Sequence, residues 1–181
     1  MKSFIAAFKL YVVLSVLTGL IYPLAVWGGA RLFMKEKAEG SLVETGGKTA
    51  GSALVGQKFA ADKYFHTRPS ASDYDAMASG GSNLSLTSAA LQAAVKERRA
   101  AQGGAGAAEM LFASGSGLDP HISPEAARAQ CARVARARGA AESDIISLVN
   151  SMTEKRQAGF LGEPRVNVLL LNMKLDGEFA K

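Results

Sequence analysis

Leu10-Tyr-Val-Val-Leu-Ser-Val-Leu-Thr-Gly-Leu-Ile-Tyr-Pro-Leu-Ala-Val-Trp-Gly-Gly-Ala30 is the stretch that decides the architecture. Lys9 precedes it, Arg31 follows it, and its 21 residues carry no charge. As a helix it extends roughly 31 Å, about the hydrocarbon thickness of a bilayer. Tyr11 near one end, and Tyr22 and Trp27 toward the other, suit the two interfaces. Pro23 falls inside the run, where a membrane helix tolerates it better than a soluble one. The competing reading is a cleaved signal peptide, with Lys2 and Lys9 as its basic region and Gly28-Gly29-Ala30 as its cleavage site. A signal core is usually about 7–15 residues, so the longer run favours a retained anchor.

Working outward, the chain is expected to comprise an N-terminal tail (1–9), a transmembrane helix (10–33), a polar connector (34–51) and an α+β domain (52–181). The mean hydropathy of +0.08 is therefore an average of two unlike parts. The net charge of +5 divides as well. The first 30 residues hold two of the 21 Lys and Arg and none of the 16 Asp and Glu, leaving +3 for residues 31–181. Those charges are dispersed, with no basic stripe interleaved with aromatics, which excludes a nucleic-acid partner. A single cysteine, Cys131, excludes an intrachain disulfide framework. Lys2 and Lys9 face one side of the membrane and Arg31, Lys35 and Lys37 the other. The positive-inside count is a near tie that leans toward an outside N-terminus and leaves the sidedness open.

Beyond the anchor, periodic elements are few. Residues 52–59 and 110–113 each suggest a short strand. Thr87 or Ser88 caps a short helix that ends near Arg99. Ser123-Pro124-Glu125 opens the clearest helix, and Gly139 ends it after Arg133, Arg136 and Arg138. Ile145, Leu148, Val149 and Met152 form one buried helical stripe. Residues 165–175, with an unbroken Val-Asn-Val-Leu-Leu-Leu run, read as a central strand. Such irregular alternation predicts a small α+β domain behind a single transmembrane helix. Residues 100–108 are almost entirely Ala and Gly, and no repeat of solenoid period is present.

Chemical motifs are weak. Gly46-Gly47-Lys48-Thr49 lacks the earlier glycine of a phosphate loop, since Leu42 stands there. Ser116 lacks the flanking glycines of a nucleophile elbow, although Ser116 or Ser82 with His66 or His121 would be the elements of a membrane-anchored hydrolase, the alternative to a binding or accessory role. His66, His121 and Cys131 share no metal-ligand spacing, so no metal is expected. What remains is a set of turn-forming polar motifs that can act as anion nests or as tight structural connections.

Seven of these segments, in this order, closely resemble the C subunits of the bacterial Kdp potassium-transporting ATPases. They are Leu20-Ile21-Tyr22-Pro23-Leu24, Gly51-Ser52-x-Leu54-Val55-Gly56-Gln57-x-Phe59, Tyr64-Phe65-x-x-Arg68-Pro69-Ser70-Ala71 and Ser79-Gly80-Gly81-Ser82-Asn83-Leu84. Then come Ser114-Gly115-Ser116-Gly117-Leu118-Asp119-Pro120-His121-Ile122-Ser123, Gln130-x-x-Arg133-Val134-Ala135-x-Ala137-Arg138 and Gly162-Glu163-Pro164-Arg165-Val166-Asn167-Val168-Leu169-x-Leu171-Asn172. The resemblance covers nearly the whole chain; the Ala/Gly insertion at 100–108 departs from it.

The resemblance implies a non-catalytic accessory subunit of a potassium-uptake pump in the bacterial inner membrane, N-terminus cytoplasmic and bulk of the chain periplasmic. Its implied partners are a P-type ATPase subunit, a channel-like potassium-binding subunit, a small hydrophobic peptide and the lipid bilayer. ATP and potassium are then handled by those partners, and this chain binds no cofactor of its own. It implies a catalytic chaperone that raises the ATP affinity of the ATPase subunit, with Gln130 and Arg133 carried over as nucleotide-related residues. Docking or structural roles fall to Tyr64, Phe65, Arg68, Ser79, Gly80, Gly81, Ser82, Asn83, Ser116, Asp119, His121, Glu163, Arg165 and Asn167.

Overall fold

The computed structural model describes residues 1–102 and 107–179. Part of the expected Ala/Gly insertion, residues 103–106, lies outside the described residues. The backbone folds as two compact units, Met1–Ser52 and Ala53–Lys181.

The first unit begins with one continuous helix, Lys2–Phe33, long and apolar enough to cross a membrane. It consists of α1 (Lys2–Val16), a π-helical turn (Leu17–Ile21) and α2 (Tyr22–Phe33). The π turn has a local cause. Pro23 has no N–H to give, and its ring would crowd the carbonyl of Gly19, so the ladder widens just before it. Thr18 Oγ1 donates to the Leu14 carbonyl at 2.7 Å, which gives the hydroxyl a partner in an apolar setting. At the far end the Arg31 guanidinium lies over the Trp27 ring and pairs with Glu39 at 3.2 Å.

The helix starts at Lys2, so residues 2–9 belong to it. The region expected as a polar connector also has structure: a one-turn helix α3 (Lys35–Ala38) and a hairpin of β1 (Leu42–Thr45) and β2 (Lys48–Ser52). Gly46 and Gly47 form its two-residue turn with φ of +59° and +76°, the conformation such hairpins demand. This Gly-Gly pair is a hairpin turn.

In the second unit α4 (Ala89–Ala101) buries none of its residues, and the core gathers around α5 (Pro124–Arg138), α6 (Glu142–Ser151) and α7 (Val168–Glu178), with a small antiparallel pair, β3 (His121–Ile122) and β4 (Val166–Asn167). The capping of α5 follows the sequence reading. Ser123 Oγ accepts from the Ala126 N–H at 3.1 Å, and Gly139 takes the left-handed conformation at the end. Phe65, Ile122, Cys131, Val134, Ile145, Val149, Val166, Leu171 and Leu175 are fully buried in one cluster.

Three predicted strands are corrected. Residues 165–175 contribute only β4; from Val168 the chain is helical. Asn167 caps that helix, its Oδ1 accepting from the Leu170 N–H at 3.2 Å. An apolar run buried on several sides shows no period by which strand and helix differ, although Val168, Leu171, Asn172 and Leu175 carry helical spacing. Residues 110–113 hold the end of a 3-10 turn, Ala108–Leu111, rather than a strand. The strand expected at 52–59 ends at Ser52 instead, and beyond it the Gly56 N–H donates to the Leu118 carbonyl at 2.8 Å.

Two outcomes test this core. A Cβ at Gly56 would stand 2.6 Å from the Asp119 carbonyl oxygen. Gly56→Ala should therefore lower the unfolding free energy by about 1–3 kcal/mol in denaturant titrations. Burial pushes the Cys131 thiol up to about 11. A thiol-specific reagent at pH 8 should then leave it unmodified in the folded chain and modify it only as the chain unfolds.

Candidate functional site

Residues 62–67, Asp-Lys-Tyr-Phe-His-Thr, belong to no strand or helix, yet Phe65 is fully buried. Its anchoring ring draws the flanking peptide groups out of water, where they need partners. Side chains of α5 and α7 supply them. Asn172 Oδ1 accepts from the Phe65 N–H at 2.8 Å while its Nδ2 donates to the Phe65 carbonyl at 2.9 Å. Gln130 repeats the pattern one residue on, accepting from the His66 N–H at 2.8 Å and donating to the His66 carbonyl at 3.2 Å. Two side-chain amides thus act as a strand's edge would.

Arginines complete the clasp. Arg133 donates to the carbonyls of Asp62 at 2.6 Å and Tyr64 at 3.0 Å, and to Gln130 Oε1 at 2.8 Å. That last bond fixes which way the Gln130 amide faces. Arg138, with a side chain only 1% exposed, donates to the Lys63 and Phe179 carbonyls and pairs with Asp176 at 2.6 Å. Tyr64 stacks beneath the Arg138 guanidinium and donates its hydroxyl to Asp176 at 3.0 Å. Desolvation, followed by this bond to Asp176, raises the phenol above its ordinary value.

Gln130 and Arg133 also line a cavity of about 590 Å³, with Lys58, Asp62, His66 and Arg98. Its cations are already engaged. Lys58 pairs with Asp73 at 2.6 Å, and Arg98 donates to the Leu111 carbonyl at 2.8 Å. His66 is held below the ordinary imidazole value by burial and then by the Arg133 charge.

The remaining motif residues fall in other places. Arg68 reaches Asp119 at 3.4 Å, and Asp119 Oδ1 accepts from the His121 N–H at 3.0 Å. Ser79 Oγ donates to the Ser116 carbonyl at 2.9 Å. Gly81 lies against Gly115, where a Cβ would approach the carbonyl oxygen to 3.0 Å. Gly117, at φ +70°, fits beside Ser70, Ser72 and Gly80 with no room for a side chain. Arg68, Ser79, Gly80, Gly81, Ser116, Asp119 and His121 therefore build one turn assembly, while Ser82 and Asn83 stand exposed beside it.

Glu163 and Arg165 belong to a separate excursion laced by the Arg156–Glu163 and Arg165–Glu154 ion pairs. Besides capping α7, Asn167 donates to the Ala53 carbonyl at 2.7 Å. Among the described residues, neither histidine hydrogen-bonds a serine hydroxyl: Ser116 Oγ accepts from the Leu118 N–H, and His66 Nε2 lies 3.3 Å from the Ala61 carbonyl. A hydrolase dyad is thus not assembled.

Sequence reading missed Arg138, Asn172 and Asp176 as members of the clasp. Arg138 reads locally as a helix-end charge. Asn172 offered a signal, a lone amide ending an apolar run whose neighbours are buried.

The profile of a family described as KdpC, K+-transporting ATPase, c chain, matches residues 4–177. Among relatives, a potassium-transporting ATPase KdpC subunit of Myxococcus xanthus is 51% identical, across 99% of this chain and 90% of the relative. That of Variovorax paradoxus is 52% identical, across 96% and 95%. That of Rhodopseudomonas palustris is 48% identical over the full length of both.

The clasp is open to direct test. Gln130→Ala and Asn172→Ala should each destabilise the chain by about 1–3 kcal/mol, because each strands two peptide groups. A pH effect follows from the histidines. His66 and His121 both sit below 6.5 in the folded chain, chiefly through burial. The unfolded chain therefore takes up protons first, and stability should fall as pH drops below 6.5, levelling off below the folded values. Denaturant midpoints between pH 8 and 5 measure this, and His66→Asn should reduce the slope.

Proposed function

This chain belongs to the family of K+-transporting ATPase c chains, and from that premise we propose how it serves the pump. It is a membrane-associated accessory subunit of a potassium-transporting ATPase complex. In our reading its partners are a P-type ATPase subunit, a channel-like potassium-binding subunit and a small hydrophobic peptide. ATP and potassium are handled by those partners, and this chain performs no catalysis. The N-terminus is cytoplasmic, α1 and α2 cross the inner membrane, and the second unit lies in the periplasm, docked over the potassium entrance.

A domain on that side of the membrane cannot touch a cytoplasmic nucleotide. The chain acts instead as a catalytic chaperone by coupling, stabilising a pump conformation that binds ATP more tightly, with an energy of roughly 1–3 kcal/mol. One observation carries the preference for this indirect route. Gln130 and Arg133 already direct their polar atoms to the backbone of residues 62–66 and to each other. Recruiting them to a phosphate would strip the partners from the peptide groups on either side of Phe65.

Titrating ATP against potassium-stimulated hydrolysis should give an apparent KM that rises about 5–150-fold when the complex lacks this chain. The full chain alone in detergent should bind no ATP at millimolar concentration by calorimetry; saturable binding there would sink the indirect route. In spheroplasts, external protease should digest residues beyond Arg31 and spare the N-terminus.

A further inference from the structure

Residues 152–165 connect α6 to β4 as a narrow, hairpin-like excursion. Reciprocal main-chain bonds between Glu154 and Arg165, at 2.9 and 3.1 Å, close its base. The same pattern between Gln157 and Leu161, at 2.9 Å in both directions, closes its far end. Ala158 and Gly159 reverse the chain there with φ of +51° and +84°. Residues 154–163 are all exposed. At the reversal stand Phe160, 72% exposed, and Leu161, 53% exposed. Among the described residues of the second unit they are the one consecutive pair of exposed large apolar side chains, and Phe160 carries the most exposed aromatic ring. Lys155 and Arg156 are the only charges between Glu154 and Glu163. Arg156 is held by Glu163 across the excursion, whereas Lys155 has no ion pair among the described residues.

We propose that the end of this excursion is a second membrane contact: Phe160 and Leu161 enter the headgroup–acyl boundary of an anionic phospholipid surface while Lys155 lies among the phosphates. Phe and Leu beside an unpaired Lys are the composition of an interfacial membrane element, whereas the buried centre of a protein interface is depleted in lysine. Two side chains on a narrow projection also fall far short of the roughly 800 Å² per partner that a stable protein contact buries. A bilayer contact needs much less, because the chain is already anchored. Only 20 positions separate Phe33, the last residue of the transmembrane helix, from Ala53, the first of the second unit. Fully extended, that tether spans at most about 70 Å, so the tip meets the bilayer at a high effective concentration rather than from free solution. The cross-bonded excursion holds the tip in shape beforehand, which limits the ordering that insertion must impose. This inference goes beyond the accessory-subunit reading and requires the membrane anchor alone.

The test uses the full chain reconstituted into lipid vesicles. Trp27 is the single tryptophan, so Trp27→Phe with Phe160→Trp leaves one fluorophore, at the tip. In vesicles of phosphatidylcholine and phosphatidylglycerol its emission should shift to the blue and be quenched by lipids brominated near the top of the acyl chain. Lys155→Gln should lower the ratio of inserted to free tip by about fivefold, the worth of one cation near an anionic surface. In vesicles of phosphatidylcholine alone the same substitution should change nothing. Leu161→Asp should abolish the quenching, with protection of Cys131 from thiol reagent verifying the fold. Absence of quenching in the anionic vesicles, or a tip that responds neither to lipid charge nor to Lys155→Gln, would overturn the proposal. In the ATPase complex in native membranes, Phe160→p-benzoylphenylalanine should label lipid on illumination; adducts only with another subunit would identify a protein interface and likewise overturn it. A chain that fails to float with the vesicles would overturn the anchor itself, and the lipid contact with it.

Discussion

Burying Phe65 without a sheet to receive it is the constraint on which the second unit depends. The ring sits in the core, so the peptide groups around it cannot reach water. Leaving a buried peptide group unpaired costs about 1–3 kcal/mol, and several lie in this short segment. Two amides and two arginines answer seven of them, the carbonyls of residues 62–64 and both groups of Phe65 and His66, with Asn172 and Gln130 coming from different helices and Arg133 and Arg138 from one. Because α5 and α7 both hold the same strap, their placement and that of Phe65 are one problem with one solution. The Tyr64–Asp176–Arg138 contacts extend that solution to the end of α7.

This arrangement changes what polar residues in a motif signify. Gln130 and Arg133, one helical turn apart, have the chemistry of a phosphate or base contact, and they do line a cavity. Their atoms are nonetheless directed at backbone. A polar pair that lines a cavity can therefore serve to keep a domain in shape. Similarly, the Ser/Gly turns meet one another at 115–117 and 79–81, where Gly81 and Gly117 permit a close approach that a side chain would block.

The membrane-spanning helix obeys the opposite rule. There the backbone groups between the helix ends look for partners within the helix itself, because lipid offers no alternative. Pro23 disturbs this locally, and the π turn over Leu17–Ile21 absorbs the disturbance with the helix still continuous. Its character was accordingly legible from composition alone: an uncharged run of sufficient length, with aromatics toward its ends.

The same distinction marks what was readable elsewhere. The start and end of α5, the stripe on α6 and the α+β class were legible because caps and periodicities act within a few residues of each other. Residues 168–175 were misread because an apolar run buried on several sides has no polar face to reveal its period; only the Asn167 cap and the spacing to Leu175 announced a helix. The hairpin turn at Gly46-Gly47 was passed over for a linker, since its strands carry few apolar residues. The clasp itself lies beyond local reading: Asn172 meets Phe65 across 107 positions and Gln130 meets His66 across 64. The sequence by itself determined the anchor, the ends of α5 and the family resemblance. Only the tertiary structure decided that Gln130, Arg133, Arg138 and Asn172 serve the backbone of one strap, because an unpaired peptide group acquires a need for partners only once the fold has taken water from it.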